Sequence, residues 1–208
     1  MTVAAFLGAA GMTATTANAA AQADWTVTNP AADDTFSAVN VAGTTSVLTN
    51  KSTGAQVTCR TIAASGVAAD GARPGGTGLA TIQSATFGSS AAKCSGPLGS
   101  TWTATSTAPM SLNGTSYSAG VAKGTITGIS IKLTGSSIAG ACSATVTGSA
   151  NTGSYTNATG VLEILNDATP ALKISAVAGN CAGLLKNGDV ATFTAKYKVT
   201  PVITVTGP

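Results

Sequence analysis

Apolar and polar residues alternate with a period of two along most of this chain, and this alternation restricts the fold more than any other feature. Near the C-terminus Ala191, Phe193, Ala195, Tyr197 and Val199 occupy every second position, with threonine and lysine between them. Successive side chains of a β-strand point to opposite faces, so such a segment has one apolar and one polar face. The pattern predicts a protein built from half-buried strands.

The same sequence disfavours helices. The chain has 25 glycines among its 208 residues, and threonine and serine are dense, so few windows of a dozen residues suit an uninterrupted helix. Turn-forming clusters such as Pro74-Gly75-Gly76 and Asn187-Gly188-Asp189 separate the apolar segments. Many short strands between such turns predict an all-β fold, either an antiparallel β-sandwich or a barrel-like sheet. The length fits one domain from about residue 24 to 208.

The individual strands are predicted from the alternation and from their content of β-branched residues. Residues 63–77 show the least pattern and are predicted to form a mobile loop. The predicted strands are Trp25–Thr28, Val39–Val47, Gln56–Ile62, Leu79–Phe87, Trp102–Thr105, Ile129–Thr134, Ala144–Thr147, Gly160–Leu165, Leu172–Val177, Ala191–Val199 and Ile203–Val205.

The N-terminal residues Met1–Ala23 look like a signal peptide. An apolar stretch from Val3 to Ala10 precedes small residues, and Ala17-Asn18-Ala19 fits the A-x-A pattern of a cleavage site. We predict a signal peptide over residues 1–19 with cleavage between residues 19 and 23, although no Lys or Arg precedes the apolar stretch. A transmembrane helix needs roughly 20 apolar residues, so we expect no transmembrane segment and a protein that is secreted or held at the cell surface.

Four cysteines, Cys59, Cys94, Cys142 and Cys181, follow this segment. None belongs to a C-x-x-C pair, and without histidine a zinc site would need all four isolated thiolates, so two disulfides are the better interpretation. Three pairings are open. We favour Cys59–Cys94 with Cys142–Cys181, because the two loops are then of similar size.

Residue types that usually carry catalysis are scarce. The chain has no histidine, which excludes Ser-His-Asp hydrolysis, Cys-His proteolysis and His-ligated zinc. Glu163 is the only glutamate, and its apolar neighbours predict the outward position of a strand rather than half of a carboxylate pair. Asp33-Asp34 lacks the further acidic ligands of a calcium loop, so a solvated turn is preferred. We therefore predict a protein that is not an enzyme, with no catalytic residue, metal or cofactor.

The chain is also poor in charge and in aromatic residues. Charged residues make up 8% of it, and the formal net charge of +3 is spread without a basic patch, so no nucleic-acid partner is expected. Hydrophobic residues reach 44% but aromatic residues only 4%, so alanine and valine supply most of the apolar share. Trp25 and Trp102 are candidate ligand contacts that would stack on a sugar or line an apolar groove. The alternative, more common in β-proteins, is that both are core or rim residues.

Several segments around the cysteines share a family pattern. They are Val57-Thr58-Cys59, Ile82-Gln83-Ser84-Ala85-Thr86-Phe87, Cys94-Ser95-Gly96, Trp102-Thr103-Ala104-Thr105, Ala141-Cys142-Ser143-Ala144-Thr145-Val146-Thr147-Gly148 and Gly179-Asn180-Cys181. These segments resemble the family of secreted proteins known as protein activator of alkane oxidation, the PraB-like proteins. The resemblance covers about residues 55 to 185 and implies an exported, non-enzymatic protein associated with growth on hydrophobic substrates such as alkanes, or with the cell surface. It implies no catalytic residues.

Two functions remain open at this point. A surface with few charges lacks the repulsion that keeps strand edges apart, which favours contact with apolar surfaces or self-assembly. Thr192, Thr194 and Lys196 would carry that contact if the last long strand were an exposed edge. The alternative is an extracellular module that binds a carbohydrate or another small ligand. An open sheet edge would favour the first function, and a cleft lined by aromatic residues the second.

Overall fold

Strands make up most of the chain, as the alternation predicts. The computed structural model describes residues 24–137, 139–166 and 172–208, so the predicted signal peptide and its cleavage region lie outside the described residues. Within the described ranges there is no α-helix, only a short 3₁₀ turn at Pro97–Gly99. The strands are β1 (Asp24–Thr28), β2 (Thr35–Asn40), β3 (Ser46–Asn50), β4 (Gln56–Cys59), β5 (Ile62–Val67), β6 (Gly71–Pro74), β7 (Ala80–Phe87), β8 (Cys94–Ser95), β9 (Thr101–Ser106), β10 (Met110–Ser118), β11 (Val121–Ser137), β12 (Gly140–Thr156), β13 (Val161–Asn166), β14 (Leu172–Gly179), β15 (Val190–Thr200) and β16 (Thr204–Thr206).

Thirteen strands form one antiparallel sheet that closes on itself. The long strands β11, β12 and β15 each pair along an edge with two shorter strands that lie end to end. One circuit of pairings runs β2-β5-β7-β10-β11-β12-β13-β15 and returns to β2, and a second runs β3-β4-β8-β9-β11-β12-β14-β15 and returns to β3. Each circuit contains eight strands. The all-β prediction is confirmed, and the closed pairing is that of a barrel.

The remaining strands form a small sheet in the order β16-β1-β6. It contacts the barrel where strand β12 ends. There the side chains of Tyr155 and Asn157 form hydrogen bonds with the backbone of β16 and of the residues just before it. We call this the capped end. The hairpin between β11 and β12, near Ser137 and Gly140, lies at the other end of these two strands. We call it the disulfide end, because both disulfides are close to it.

Both predicted disulfides are confirmed, with the favoured pairing. Cys59 is bonded to Cys94 and Cys142 to Cys181, and the described residues contain no free cysteine. Cys94 pairs in register with Trp102, Trp102 with Gly135, and Gly135 with Cys142. The Cys59–Cys94 disulfide therefore joins β4 to β8, and the Cys142–Cys181 disulfide joins β12 to the turn after β14, at the same level of the barrel. None of the described segments is a helix of the length and hydropathy needed to span a bilayer.

Several strand predictions need correction. The predicted strand Val39–Val47 is two strands, because residues 41–45 turn between β2 and β3 with a hydrogen bond from the Thr44 amide to the Val41 carbonyl. Gln56–Ile62 is likewise divided between β4 and β5. Residues 63–77 are not a loop, since they contain most of β5 and all of β6. Strand β10 has no counterpart among the predicted strands.

Candidate functional site

The inward faces of the barrel strands enclose an apolar cavity of about 190 Å³. We call it the barrel cavity. It arises directly from the alternation, because every second residue of each strand points inward and nearly all of these are apolar. Strands of both circuits contribute to its walls. Representative lining residues are Phe36, Ile82, Met110, Ile126, Val146 and Ile164.

Small side chains explain why the interior is not filled. An eight-stranded barrel has an interior that side chains just fill, or that holds one small ligand. Here alanine occupies many inward positions, as the low aromatic content of the chain requires. The alanine side chain occupies too little volume to fill a barrel of this width, so a cavity remains. The inward alanines that line it include Ala38, Ala64, Ala85, Ala104, Ala122 and Ala150.

The few aromatic residues are concentrated at this cavity. Phe87 of β7 and Phe193 of β15 meet edge to face, with ring centroids 5.8 Å apart and an interplanar angle of 85°. Phe36, Tyr155 and Tyr197 also line the cavity. Aromatic rings offer large apolar contact areas with few rotatable bonds, so these walls suit a small apolar molecule.

Two buried hydroxyl groups on the cavity wall form a hydrogen-bonded pair. The Ser46 hydroxyl donates to the Tyr197 hydroxyl at 3.4 Å, and both side chains are buried and line the cavity. Burial raises the pKa of the Tyr197 phenol, an effect that the hydrogen bond from Ser46 only partly offsets. The phenol is therefore neutral over the physiological pH range and available as a hydrogen-bond donor.

The small sheet closes the capped end. The Tyr155 hydroxyl donates to the Ile203 carbonyl at 2.8 Å and accepts from the Ile203 amide at 3.0 Å. The Asn157 side chain bonds the Val205 backbone in the same two-way manner, at 2.8 and 3.0 Å. These two side chains replace a strand partner for the C-terminal segment and hold Ile203 and Val205 against the cavity, which both residues line.

Trp25 belongs to this closure and not to the cavity wall. It is 3% exposed, and a Cβ on Gly114 or on Gly207 would lie 2.7 Å from its ring. Glycine backbone thus covers the indole. The structure gives Trp25 a packing role, which corrects its assignment as a candidate ligand contact.

Trp102 lies at the disulfide end and is 1% exposed. Its ring nitrogen donates to the Ser100 hydroxyl at 2.9 Å, and its ring rests on Gly135 so closely that no Cβ fits there. It cannot stack on a sugar at the surface. It does line the barrel cavity, so a contact with a ligand inside the barrel is the role that remains open to it.

The outer face of β9, β11 and β12 carries rows of hydroxyl groups. Thr103 pairs in register with Thr134, and Thr134 with Ser143, so three outward side chains lie side by side across the strands. Rows of this kind repeat about 6.8 Å apart along the strands and about 4.8 Å across them. We call this surface the hydroxyl face, in which Lys132 is the single charged residue. Its members are Thr101, Thr103, Thr105, Ser130, Lys132, Thr134, Ser136, Ser143, Thr145 and Thr147.

The residues considered for catalysis or metal binding do not converge. Glu163 pairs across strands with Lys196, at 2.9 Å between the carboxylate and the ammonium group, as expected for an outward strand residue. The Asp33 carboxylate accepts hydrogen bonds from the hydroxyl and amide of Thr35, which lower its pKa. Within the described ranges, no group of three or more His, Cys, Asp or Glu side chains is placed to hold a metal ion.

The fold and site define an antiparallel, disulfide-bonded β-barrel with an apolar cavity. Sequence reasoning did not find this cavity, although the excess of alanine over aromatic residues was its signal. Comparisons with known protein families, curated proteins and solved structures find no match.

Proposed function

We propose that this chain is an exported, non-enzymatic protein whose barrel holds one small apolar molecule. The observation that carries the proposal is the barrel cavity, with its volume of about 190 Å³ and its apolar lining. An engineered apolar cavity of roughly 150 Å³ in another protein binds benzene. The barrel cavity therefore suits molecules of about six to eight carbon atoms.

The expected affinity follows from the apolar transfer energy. Each buried methylene contributes about 0.8 kcal/mol of favourable transfer free energy, so burial of a six-carbon ligand contributes roughly 5 kcal/mol to binding. That corresponds to a dissociation constant of about 0.2 mM. Weak binding of this kind suits a protein that collects or passes on an abundant compound.

Two further observations support the location and the ligand class. Disulfides persist in oxidising compartments such as the extracellular space and the periplasm, and this chain has two. The resemblance to the protein activator of alkane oxidation family implies an association with growth on hydrophobic substrates, to which an apolar cavity is suited. Export through the segment Met1–Ala23 is part of the proposal.

Adjacent residues of β5 provide a matched test. Ala64 lines the barrel cavity, whereas Ala63 points outward and is exposed. In Ala64→Leu the added carbons occupy the cavity, so binding of toluene, measured by NMR titration, should weaken at least tenfold. Ala63→Leu adds the same atoms outside and should bind toluene like the wild type. Absence of toluene binding to the wild-type protein at millimolar concentration would refute the proposal.

A second candidate function is contact with other copies through the hydroxyl face. This face extends over three strands with one charge, so little repulsion opposes association. Association of copies by pairing of strand edges is less favourable for this barrel than association through the hydroxyl face. Among the described residues every strand of the large sheet has at least two strand partners, while β6 and β16 of the small sheet have one. Thr192, Thr194 and Lys196 lie on such a doubly paired strand, which removes the edge on which their expected role depended.

Sedimentation velocity distinguishes this second function. Replacing the facing residues Thr103 and Thr134 by Lys places two positive charges beside Lys132 and should dissociate the assembled protein. Thr81→Lys adds charge at an exposed position on β7 and should leave assembly unchanged. A wild-type protein that stays monomeric up to millimolar concentration contradicts the proposal of self-assembly.

A further inference from the structure

The hydrogen-bonding state of Ser46 and Tyr197 restricts the ligand of the barrel cavity. Ser46 is 1% exposed and Tyr197 is 7% exposed, so bulk solvent has little access to their hydroxyl groups. The distance between the two hydroxyl oxygens is 3.4 Å, whereas a good O–H···O bond measures about 2.7–2.8 Å. The contact is therefore weak on the scale of normal hydrogen bonds.

The neighbouring polar groups do not complete the pair. The Ser46 hydroxyl also lies 3.4 Å from the side-chain oxygen of Asn40, again a long contact. The Asn40 amide is directed to the carbonyls of Cys59 and Arg60, at 3.4 and 3.1 Å. Within the described part of the chain, the Tyr197 hydroxyl makes no hydrogen bond other than its contact with Ser46. A buried donor without a good acceptor is costly and calls for an explanation.

The position of the pair supplies that explanation. Both residues line a cavity whose exposed wall is almost entirely apolar, although Asn113, Lys123 and Thr125 also border it. A molecule within the cavity can therefore reach the hydroxyl groups of the pair. A pure hydrocarbon would leave the Tyr197 donor unsatisfied. An ionised ligand would bury its charge without a cation beside it at this pair, which is more costly still.

We infer that the barrel cavity selects small neutral molecules with a single acceptor oxygen, such as ketones, aldehydes or alcohols, whose oxygen accepts a hydrogen bond from the Tyr197 hydroxyl. The apolar remainder of the ligand then lies among the alanine and aromatic side chains. The inference rests on the proposed function, because it assigns the ligand class of the same cavity.

Two ligands of similar size test the inference. Cyclohexanone has one acceptor oxygen, and methylcyclohexane has none. Tyr197→Phe removes the donor and keeps the ring, so the affinity for cyclohexanone should fall roughly tenfold, the value of one hydrogen bond. The affinity for methylcyclohexane should change by less than twofold. Tyr117→Phe makes the same change on a half-buried ring outside the cavity and should affect neither ligand.

The outcomes separate the inference from the proposed function. If methylcyclohexane binds to the wild-type protein and Tyr197→Phe leaves cyclohexanone affinity unchanged, the inference is wrong and the proposed function stands. If neither ligand binds, both are wrong. If Tyr197→Phe does not fold, the wild type decides by NMR: cyclohexanone should shift the hydroxyl proton of Tyr197 downfield and methylcyclohexane should not. Equal shifts with both ligands would overturn the inference.

Discussion

Glycine makes room for both tryptophans of this protein, and in each case a strand glycine serves packing rather than backbone flexibility. Gly114 of β10 and Gly135 of β11 lie directly against the rings of Trp25 and Trp102. From sequence, a glycine within an alternating segment indicates a break or a bulge. Which aromatic ring needs the space depends on the pairing of distant strands. The sequence therefore favoured a core or rim position for Trp25 without indicating which glycines pack against its ring.

Replacing Gly114 by Ala should destabilise the protein by about 1–3 kcal/mol, because the added methyl group overlaps an immobile ring. The new Cβ would lie 2.7 Å from two ring carbons of Trp25. Gly153→Ala is the matched control, since its Cβ would meet only backbone oxygens at 3.5 Å or more. Urea unfolding measures both changes. Equal stability of the two variants would show that the packing of Trp25 tolerates the methyl group.

At the scale of elements, the long strands β11 and β12 contain most of the strand residues that were not predicted from the sequence. Each has 17 residues, yet only Ile129–Thr134 and Ala144–Thr147 were predicted from them. Glycine, serine and threonine interrupt the alternation elsewhere in both strands. The register shifts between Gly124 and Ile126, and again between Ile126 and Ile129, so the apolar face changes phase along the strand. Strand β15, whose alternation stays in phase from Ala191 to Val199, was predicted almost in full.

Strand β16 depends on side chains for much of its attachment, which makes it sensitive to a single substitution. Asn157→Ala removes both bonds to the Val205 backbone and should destabilise the C-terminal segment by about 1–3 kcal/mol. Hydrogen exchange at the Val205 amide should accelerate by at least tenfold, while exchange in β11 stays slow. Thr159→Ala, an exposed change in the same turn, is the control. Unchanged exchange at Val205 would mean that pairing with β1 alone holds the strand.

For the whole molecule, the closed barrel and its cavity follow from features that no single segment displays. Composition and alternation were sufficient to predict an all-β fold and two disulfides. Closure depends on which strands pair, and the cavity depends on how many inward positions carry alanine once the barrel has closed. A sequence read segment by segment therefore indicates an apolar interior without indicating whether that interior is full. The alternative of a small-ligand module was stated from sequence, but its location inside the barrel was not.

The two disulfides should contribute similarly to the stability of the whole barrel. Their sequence separations are 35 and 39 residues, so in the chain-entropy treatment each stabilises the folded state by roughly 3–4 kcal/mol. Replacing either pair, Cys59 with Cys94 or Cys142 with Cys181, by alanine should lower the free energy of unfolding by nearly the same amount. Guanidinium unfolding of the two double variants measures this. Cys59 and Cys94 line the barrel cavity and Cys142 and Cys181 do not, so ligand binding should persist in the Cys142/Cys181 variant if that variant remains folded. If only one double variant lost stability, the prediction would be wrong, and strand pairing alone would hold the barrel closed at the site of the other disulfide.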